Sequence, residues 1–152
     1  MAGATLESGA SEYFTADHGH CDALWAEVEG ATESGDDALA GERWRAFDAA
    51  MRRHLAMEEE VLFPLLDEAT GMRGMGPVAV MKHEHTQMRG LLDRMGALAR
   101  EGRFDGVIDQ GDSLMMLIQQ HNAKEEGVLY PMIDAALGPV WPRVVAMLAK
   151  YQ

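Results

Sequence analysis

Apolar residues recur at three- and four-residue intervals through almost the whole chain, the period of helices buried along one face. Phe14, His18, Cys21, Trp25 and Val28 form the first stripe and predict a helix from about Ser11 to Gly30. The stretch from Gly30 to Asp37 is rich in Gly, Ser, Thr and acids and reads as a loop. Phe47, Met51, His54, Glu58, Val61 and Leu65 predict a longer helix from about Asp37 to Glu68, with Pro64 kinking or ending its last turn. Three glycines and a proline between Gly71 and Pro77 mark the clearest break. Beyond it, Met81, His85, Met88, Leu92 and Met95 predict a helix over about Val78–Glu101. Leu114, Ile118, His121, Glu125, Val128 and Met132 predict another over about Phe104–Ala136, stopped by Gly138-Pro139. A short amphipathic segment, Pro142–Lys150, packs back on the body. β-branched residues are sparse and no stretch alternates cleanly.

The fold class expected is therefore all-α. A shorter-then-longer helix pair occurs twice, with short loops, so the architecture is an antiparallel up-down-up-down four-helix bundle with a short C-terminal helix. A chain of 152 residues fits one domain, taken as residues 1–152, built from two pseudo-repeats over about 11–70 and 78–137.

The repeats are explicit in the residues. His54-x-x-x-Glu58-Glu59-x-Val61-Leu62-Phe63-Pro64 returns sixty-seven residues later as His121-x-x-x-Glu125-Glu126-x-Val128-Leu129-Tyr130-Pro131. Asp17-His18 returns as Glu84-His85, and Leu24 as Leu91. Histidine and glutamate thus occupy places where each stripe wants apolar residues. His54 and Glu58 are one helical turn apart, as are His121 and Glu125, so each pair faces one patch of core. A buried carboxylate without a partner costs several kcal/mol or titrates to neutrality. Four imidazoles and two carboxylates in matched register require something to satisfy them, and two metal ions would. Imidazole suits Fe, Zn, Cu and Ni, and carboxylates bridge hard cations. With Glu58 and Glu125 as shared bridges, each metal receives two imidazole nitrogens and two oxygens. An oxo or hydroxo bridge adds a fifth ligand and leaves one open position per metal.

These motifs resemble the hemerythrin-like proteins of the HHE cation-binding type, over about Ser11 to Ala136. The resemblance implies two Fe ions, a non-haem di-iron centre in a four-helix bundle, with His18, His54, Glu58, His85, His121 and Glu125 as its ligands. Ferritin-like di-iron bundles use Glu-x-x-His pairs, and no such pair occurs here. The family's oxygen carriers have a further histidine one turn from its partner on the third helix. Here those positions are Met81 and Arg89, which weighs against reversible dioxygen carriage. The resemblance is closer to members that react with peroxide or nitric oxide, or donate iron for iron–sulfur repair. Repair proteins usually carry a cysteine-bearing N-terminal segment in addition, and none precedes the motifs here.

The remaining polar and soft residues receive plainer readings. Glu59 and Glu126 lie roughly 100° round the helix from the ligand glutamates and take surface or ligand-orienting roles. His20 and His83 lie roughly 200° from the nearest candidate ligands and read as surface histidines, His20 being the better reserve ligand. Tyr130 offers a hydroxyl to orient a ligand, while Phe63 at the equivalent place has none. Met51, Met57, Met81, Met88, Met95, Met115 and Met116 are core packing or line a ligand path. Cys21 reads as a buried small hydrophobe, and Trp25 and Trp44 as packing residues.

A net charge of −12 argues against nucleic acid or anionic membrane as partner. The partners expected are instead a small diatomic ligand or peroxide, and a reductant protein. Met1–Ser11 does not read as a signal peptide, and no run approaches the roughly 18 uninterrupted apolar residues of a membrane span. A single cysteine is compatible with a reducing compartment, so a cytoplasmic location is expected.

Overall fold

A computed structural model describes residues 9–152; most of the N-terminal segment read as lacking a leader lies outside these. The described chain contains helices α1 (Ala10–Glu33), α2 (Asp37–Met57), α3 (Phe63–Thr70), α4 (Pro77–Arg100), α5 (Phe104–Lys124), α6 (Tyr130–Leu137) and α7 (Trp141–Leu148). Among the described residues there is no strand. One π-turn, Glu58–Leu62, joins α2 to α3, and another, Glu125–Leu129, joins α5 to α6. Four rods result, α1, α2–α3, α4 and α5–α6, packed as the antiparallel bundle the periodicity predicts. The α1–α2 and α4–α5 turns close through Gly35 and Gly102, at equivalent positions of the two halves, both at φ +73°. A Cβ disfavours that left-handed backbone.

Helix ends are tied locally and across the fold. The Asp36 side chain accepts from the Leu39 amide at 3.0 Å and caps α2. The first amide of α1, on Ala10, instead donates to Asp134 Oδ1 of α6 at 2.6 Å, docking the start of the first rod onto the end of the last. Gly138-Pro139 does interrupt the fourth rod. A 3-10 turn, Gly138–Val140, leads into α7, whose Trp141, Val144 and Leu148 are buried against the bundle. The helical stretch Phe104–Tyr151 includes a window of mean hydropathy 1.3, enough by length and composition to cross a bilayer. In this fold Tyr130, Ile133, Leu137, Trp141 and Val144 from that stretch are core side chains.

The two π-turns correct the expected stripes. A π-turn inserts one residue into the 3.6-residue period, so every later apolar position moves on by one. Leu66 is buried where Leu65 was expected, Leu129 where Val128 was, and Ile133 where Met132 was. Val128 is 56% exposed. The prolines supply a physical reason. Pro64 and Pro131 have no N–H, and their rings crowd the carbonyl four residues earlier. Widening the turn just before each lets the helix run on to Thr70 and Leu137 rather than stop or kink. Met116 is also corrected, being 65% exposed, while Met51, Met57, Met81, Met88 and Met95 are buried as expected.

The core is divided in two. One apolar cluster, around Trp25, Phe47, Leu92 and Leu114, fills the end that holds the α1–α2 and α4–α5 turns. The other, around Phe14, Phe63, Tyr130 and Trp141, fills the end closed by α7. Between them lies a band of buried polar side chains.

Candidate metal centre

That band contains His18, His54, Glu58, His85, His121 and Glu125, each no more than 6% exposed. Every rod contributes, because each helix puts its histidine on the inward stripe and the two π-turns begin at the two glutamates. The structure brings together the whole set that the sequence nominated. Two groups of donor atoms, each within 4.8 Å of one another, emerge: Glu58, His85, His121 and Glu125, and His18, His54 and Glu125. Glu125 belongs to both. His20, half-buried, and His83, exposed, belong to neither.

Each imidazole is held from behind by a carboxylate. His18 Nδ1 meets Glu126 Oε2 at 2.7 Å, and His85 Nδ1 meets Glu59 Oε2 at 2.6 Å. His54 Nδ1 meets Asp17 Oδ2 at 2.7 Å, and His121 Nδ1 meets Glu84 Oε1 at 2.8 Å. A carboxylate only accepts, so in all four rings Nδ1 carries the proton and donates it. Nε2 then points inward, and in a neutral ring it carries a lone pair. Arg89 Nη1 at 2.7 Å and Lys124 Nζ at 2.5 Å in turn brace Glu59 and Glu84. Glu59 and Glu126 therefore hydrogen-bond candidate ligands, the geometry that one of their two expected roles requires. Asp17 and Glu84 had been noticed only as half of a repeated dipeptide. Their signal was an acid kept beside a histidine in both halves.

Inside the ring of donors the contacts are close but mutually unsatisfying. Glu58 Oε1 lies 3.1 Å from His85 Nε2, and Glu125 Oε2 lies 3.1 Å from His121 Nε2. Yet Glu58 Oε1, Glu125 Oε2 and His54 Nε2 are buried without a hydrogen-bond partner. His85 Nε2 and His121 Nε2 face each other at 3.2 Å. Buried polar atoms nearly always find partners, and each orphan here leaves a donor or acceptor facing the same small space. Lone pairs and carboxylate charge converging without alignment on one another fit cations between them. Nitrogen and oxygen donors of this kind suit iron, zinc or manganese.

The electrostatics agree. Burial pushes the Glu58 carboxyl up, but His54 and its other neighbours hold it well below the usual carboxylate range. Burial disfavours a charged His54, yet the charge of Glu58 and the bond to Asp17 raise its pKa well above the usual imidazole value. Against the same burial, contacts with Glu58 and Glu59 lift His85 to about 9. Asp17, Glu59 and Glu84 are all lowered: burial opposes the charge, and the histidine hydrogen bonds, with Lys124 foremost at Glu84, overcome it. The site draws positive charge inward, and metal binding exchanges such protons for a cation.

Tyr130 was expected to hydrogen-bond here and does. Its hydroxyl lies 2.6 Å from Glu58 Oε2, 2.9 Å from Glu125 Oε1 and 3.1 Å from His18 Nε2. Phe63, its counterpart in the first half, stacks on His85 at 5.7 Å between ring centroids. A small cavity of about 10 Å³ adjoins His18, His54 and His121, lined by Cys21, Met51, Leu55, Met88 and Ile118. Burial, first, and the nearby Asp17 charge push the Cys21 thiol up to about 12, so it stays protonated as a small hydrophobe.

A bundle with two buried histidine–carboxylate donor sets of pseudo-twofold design belongs to the class of helical metal-binding domains. Residues 9–133 match the family model described as the hemerythrin HHE cation binding domain, and the chain belongs to that family. Among curated proteins it is similar to the iron-sulfur cluster repair protein YtfE of Salmonella typhimurium (strain LT2), 26% identical over 98 residues, which cover 57% of this chain and 43% of that one. It is similar also to the proteins of the same name from Escherichia coli O1:K1 and Citrobacter koseri. Each of these is 28% identical over 90 residues, covering 51% of this chain and 39% of theirs. The chain thus spans about two-fifths of the length of these relatives. No solved structure matches it.

If the carboxylates behind the histidines set metal affinity, Asp17→Ala should weaken binding at the His18–His54 set by roughly 10- to 100-fold. Glu84→Ala should do the same at the His85–His121 set. Competitive titration with a chromophoric chelator measures both. Equal weakening of both sets by either change would contradict the assignment.

Proposed function

We propose that the chain holds a di-iron centre, with His18, His54, Glu58, His85, His121 and Glu125 as ligands, and uses it on O2, peroxide or nitric oxide. The observation that carries this reading is the convergence of four buried Nε2 atoms and two buried carboxylates on two adjacent places, with His54 Nε2, Glu58 Oε1 and Glu125 Oε2 left unpaired. Iron bound there would supply a Lewis acid and a one-electron redox partner at each place. The protein's own part is to hold each imidazole aimed through its Nδ1–H bond. Glu58 and Glu125 offset the cations' charge, and apolar clusters on both sides limit water. The cavity lined by Cys21, Met51, Leu55, Met88 and Ile118 has room for about one water-sized molecule. So small a space is in keeping with a small ligand rather than an organic substrate. A reducing, cytoplasmic setting suits this chemistry and the lone buried thiol.

The named activity of the YtfE relatives favours a second reading, in which the bound iron is delivered to damaged iron–sulfur clusters. Stopped-flow spectra of the iron-loaded chain with peroxide and with nitric oxide, run beside a cluster-rebuilding assay on an apo iron–sulfur protein, separate the two. Consumption of peroxide or nitric oxide over many turnovers with iron retained supports the first reading. Stoichiometric iron loss with cluster recovery and no turnover supports the second and overturns the first.

A further inference from the structure

At one pair of equivalent aromatic positions beside the candidate centre, the two halves of the bundle differ by one oxygen atom. Phe63 and Tyr130 stand at equivalent positions, each opening the helix after a π-turn, each immediately before a proline, each fully buried. Their rings lie alike: Phe63 is 5.7 Å from the ring of His85, and Tyr130 is 5.7 Å from that of His18. Packing alone is satisfied by phenylalanine in one half, so the hydroxyl in the other needs its own account.

That hydroxyl has three polar neighbours and one proton. Glu58 Oε2, Glu125 Oε1 and His18 Nε2 surround it at 2.6, 2.9 and 3.1 Å. Both carboxylate oxygens are acceptors. The His18 Nδ1–H is committed to Glu126, and its Nε2 is turned toward the phenol oxygen. The phenol can satisfy one of the carboxylates. The other approaches it with lone pair against lone pair, as in the rest of the donor ring. A tyrosine serving only to brace a carboxylate would need one such neighbour and apolar surroundings.

The donor count is also uneven. The His85–His121 set has four side chains, Glu58, His85, His121 and Glu125, whereas the other has three, His18, His54 and Glu125. Tyr130 stands beside the set that is short by one.

We propose that Tyr130 is itself a ligand, through Oη, to the metal held by His18, His54 and Glu125. The inference rests on the di-iron reading above. On binding ferric iron the O–H bond breaks, its proton passes to solvent, and the oxygen lone pair is shared with the cation. No change of oxidation state is needed for that exchange. The added negative charge favours the ferric state at this position, and Phe63 gives the other position no equivalent. The two metals are therefore chemically distinct despite the repeated sequence that holds them.

The test is resonance Raman and visible absorption spectroscopy on the full chain, loaded anaerobically with ferrous iron, oxidised to the ferric state and assayed for iron content. The expected result is a visible phenolate-to-iron charge-transfer band whose excitation enhances tyrosine ring modes. Tyr130→Phe, an exchange for which Phe63 is the fold's own precedent, should lose band and modes completely while the variant still binds iron at the His85–His121 set. Iron-loaded wild type without phenolate modes overturns the proposal and leaves the di-iron reading standing. A band that survives in Tyr130→Phe overturns it as well, assigning the phenolate elsewhere. Should the variant fail to fold, the wild-type spectrum decides alone. Wild type that takes up no iron overturns both readings together.

Discussion

Replacing Glu125 by alanine is expected to empty both metal positions at once. Glu125 is the one side chain shared by the two donor sets, with Oε1 3.1 Å from His18 Nε2 and Oε2 3.1 Å from His121 Nε2. Losing a shared carboxylate removes an anionic donor from each metal and one of the two charges that offset them. A single outer hydrogen bond already changes metal affinity by roughly 10- to 100-fold, so the loss of a direct bridging donor should exceed about 100-fold at each place. His54→Ala provides the contrast. It removes one neutral donor from one set and should spare the His85–His121 position. Elemental analysis after desalting reads the difference as near-zero iron against about half the wild-type content. Both variants should keep their helical circular dichroism, because the apolar clusters on either side of the polar band carry the packing. Equal retention of iron in the two variants would contradict Glu125 as a bridge.

The largest stability effect is expected far from the metals, at Gly111→Ala. A Cβ built on Gly111 would lie 2.2 Å from two ring carbons of Trp25, which is itself 3% exposed in the cluster at the turn end of the bundle. Ordinary contact needs more than 1 Å of retreat, and a rigid indole packed against Phe47 at 5.2 Å has little room to give it. Overpacking of this kind costs about 1–3 kcal/mol and occasionally more. It outweighs the gain of up to about 1 kcal/mol that alanine brings over glycine within a helix. Gly30→Ala isolates that gain, since nothing lies within 4 Å of its Cβ position. Thermal melts of the metal-free proteins should therefore move in opposite directions, down for Gly111→Ala and up for Gly30→Ala. A neutral Gly111→Ala would show that Trp25 and α5 separate easily.

Much of this architecture was visible in the residue pattern, and the failures have identifiable causes. The stripes of the first and third rods read correctly, although α1 runs on to Glu33 through residues read as loop from Gly30. Phe14 through Val28 and Met81 through Met95 follow an undisturbed α-helical period, and all of these positions are buried. The second rod read correctly as far as Val61 and the fourth as far as Glu125. A period of 3.6 residues carried through Glu58–Leu62 and Glu125–Leu129 puts Leu65, Val128 and Met132 inside, whereas the π-turns bring in Leu66, Leu129 and Ile133. The prolines at 64 and 131 were the available sign. Pro64 was read as kinking or ending its helix and Pro131 was passed over, although a widened turn also accommodates a missing amide.

The six candidate ligands were legible because each is a polar residue on an apolar stripe, and each appears twice. Their supports were harder to see. Glu59, Glu126, Asp17 and Glu84 lie off the stripes, and the histidine each one meets belongs to another rod. Periodicity describes one helix at a time and cannot report a contact between helices. Tyr130 shows the same limit: its hydroxyl was noticed, but its three neighbours come from α1 and both π-turns.

The central claim is that the polar band is a two-metal site rather than a packed cluster of histidines. The most direct test is iron content by elemental analysis, after anaerobic reconstitution with ferrous iron and removal of loosely bound metal. One iron for each of the two donor sets, two per chain, is the predicted result. Iron at background after reconstitution, in a protein that retains its helical circular dichroism, would contradict it.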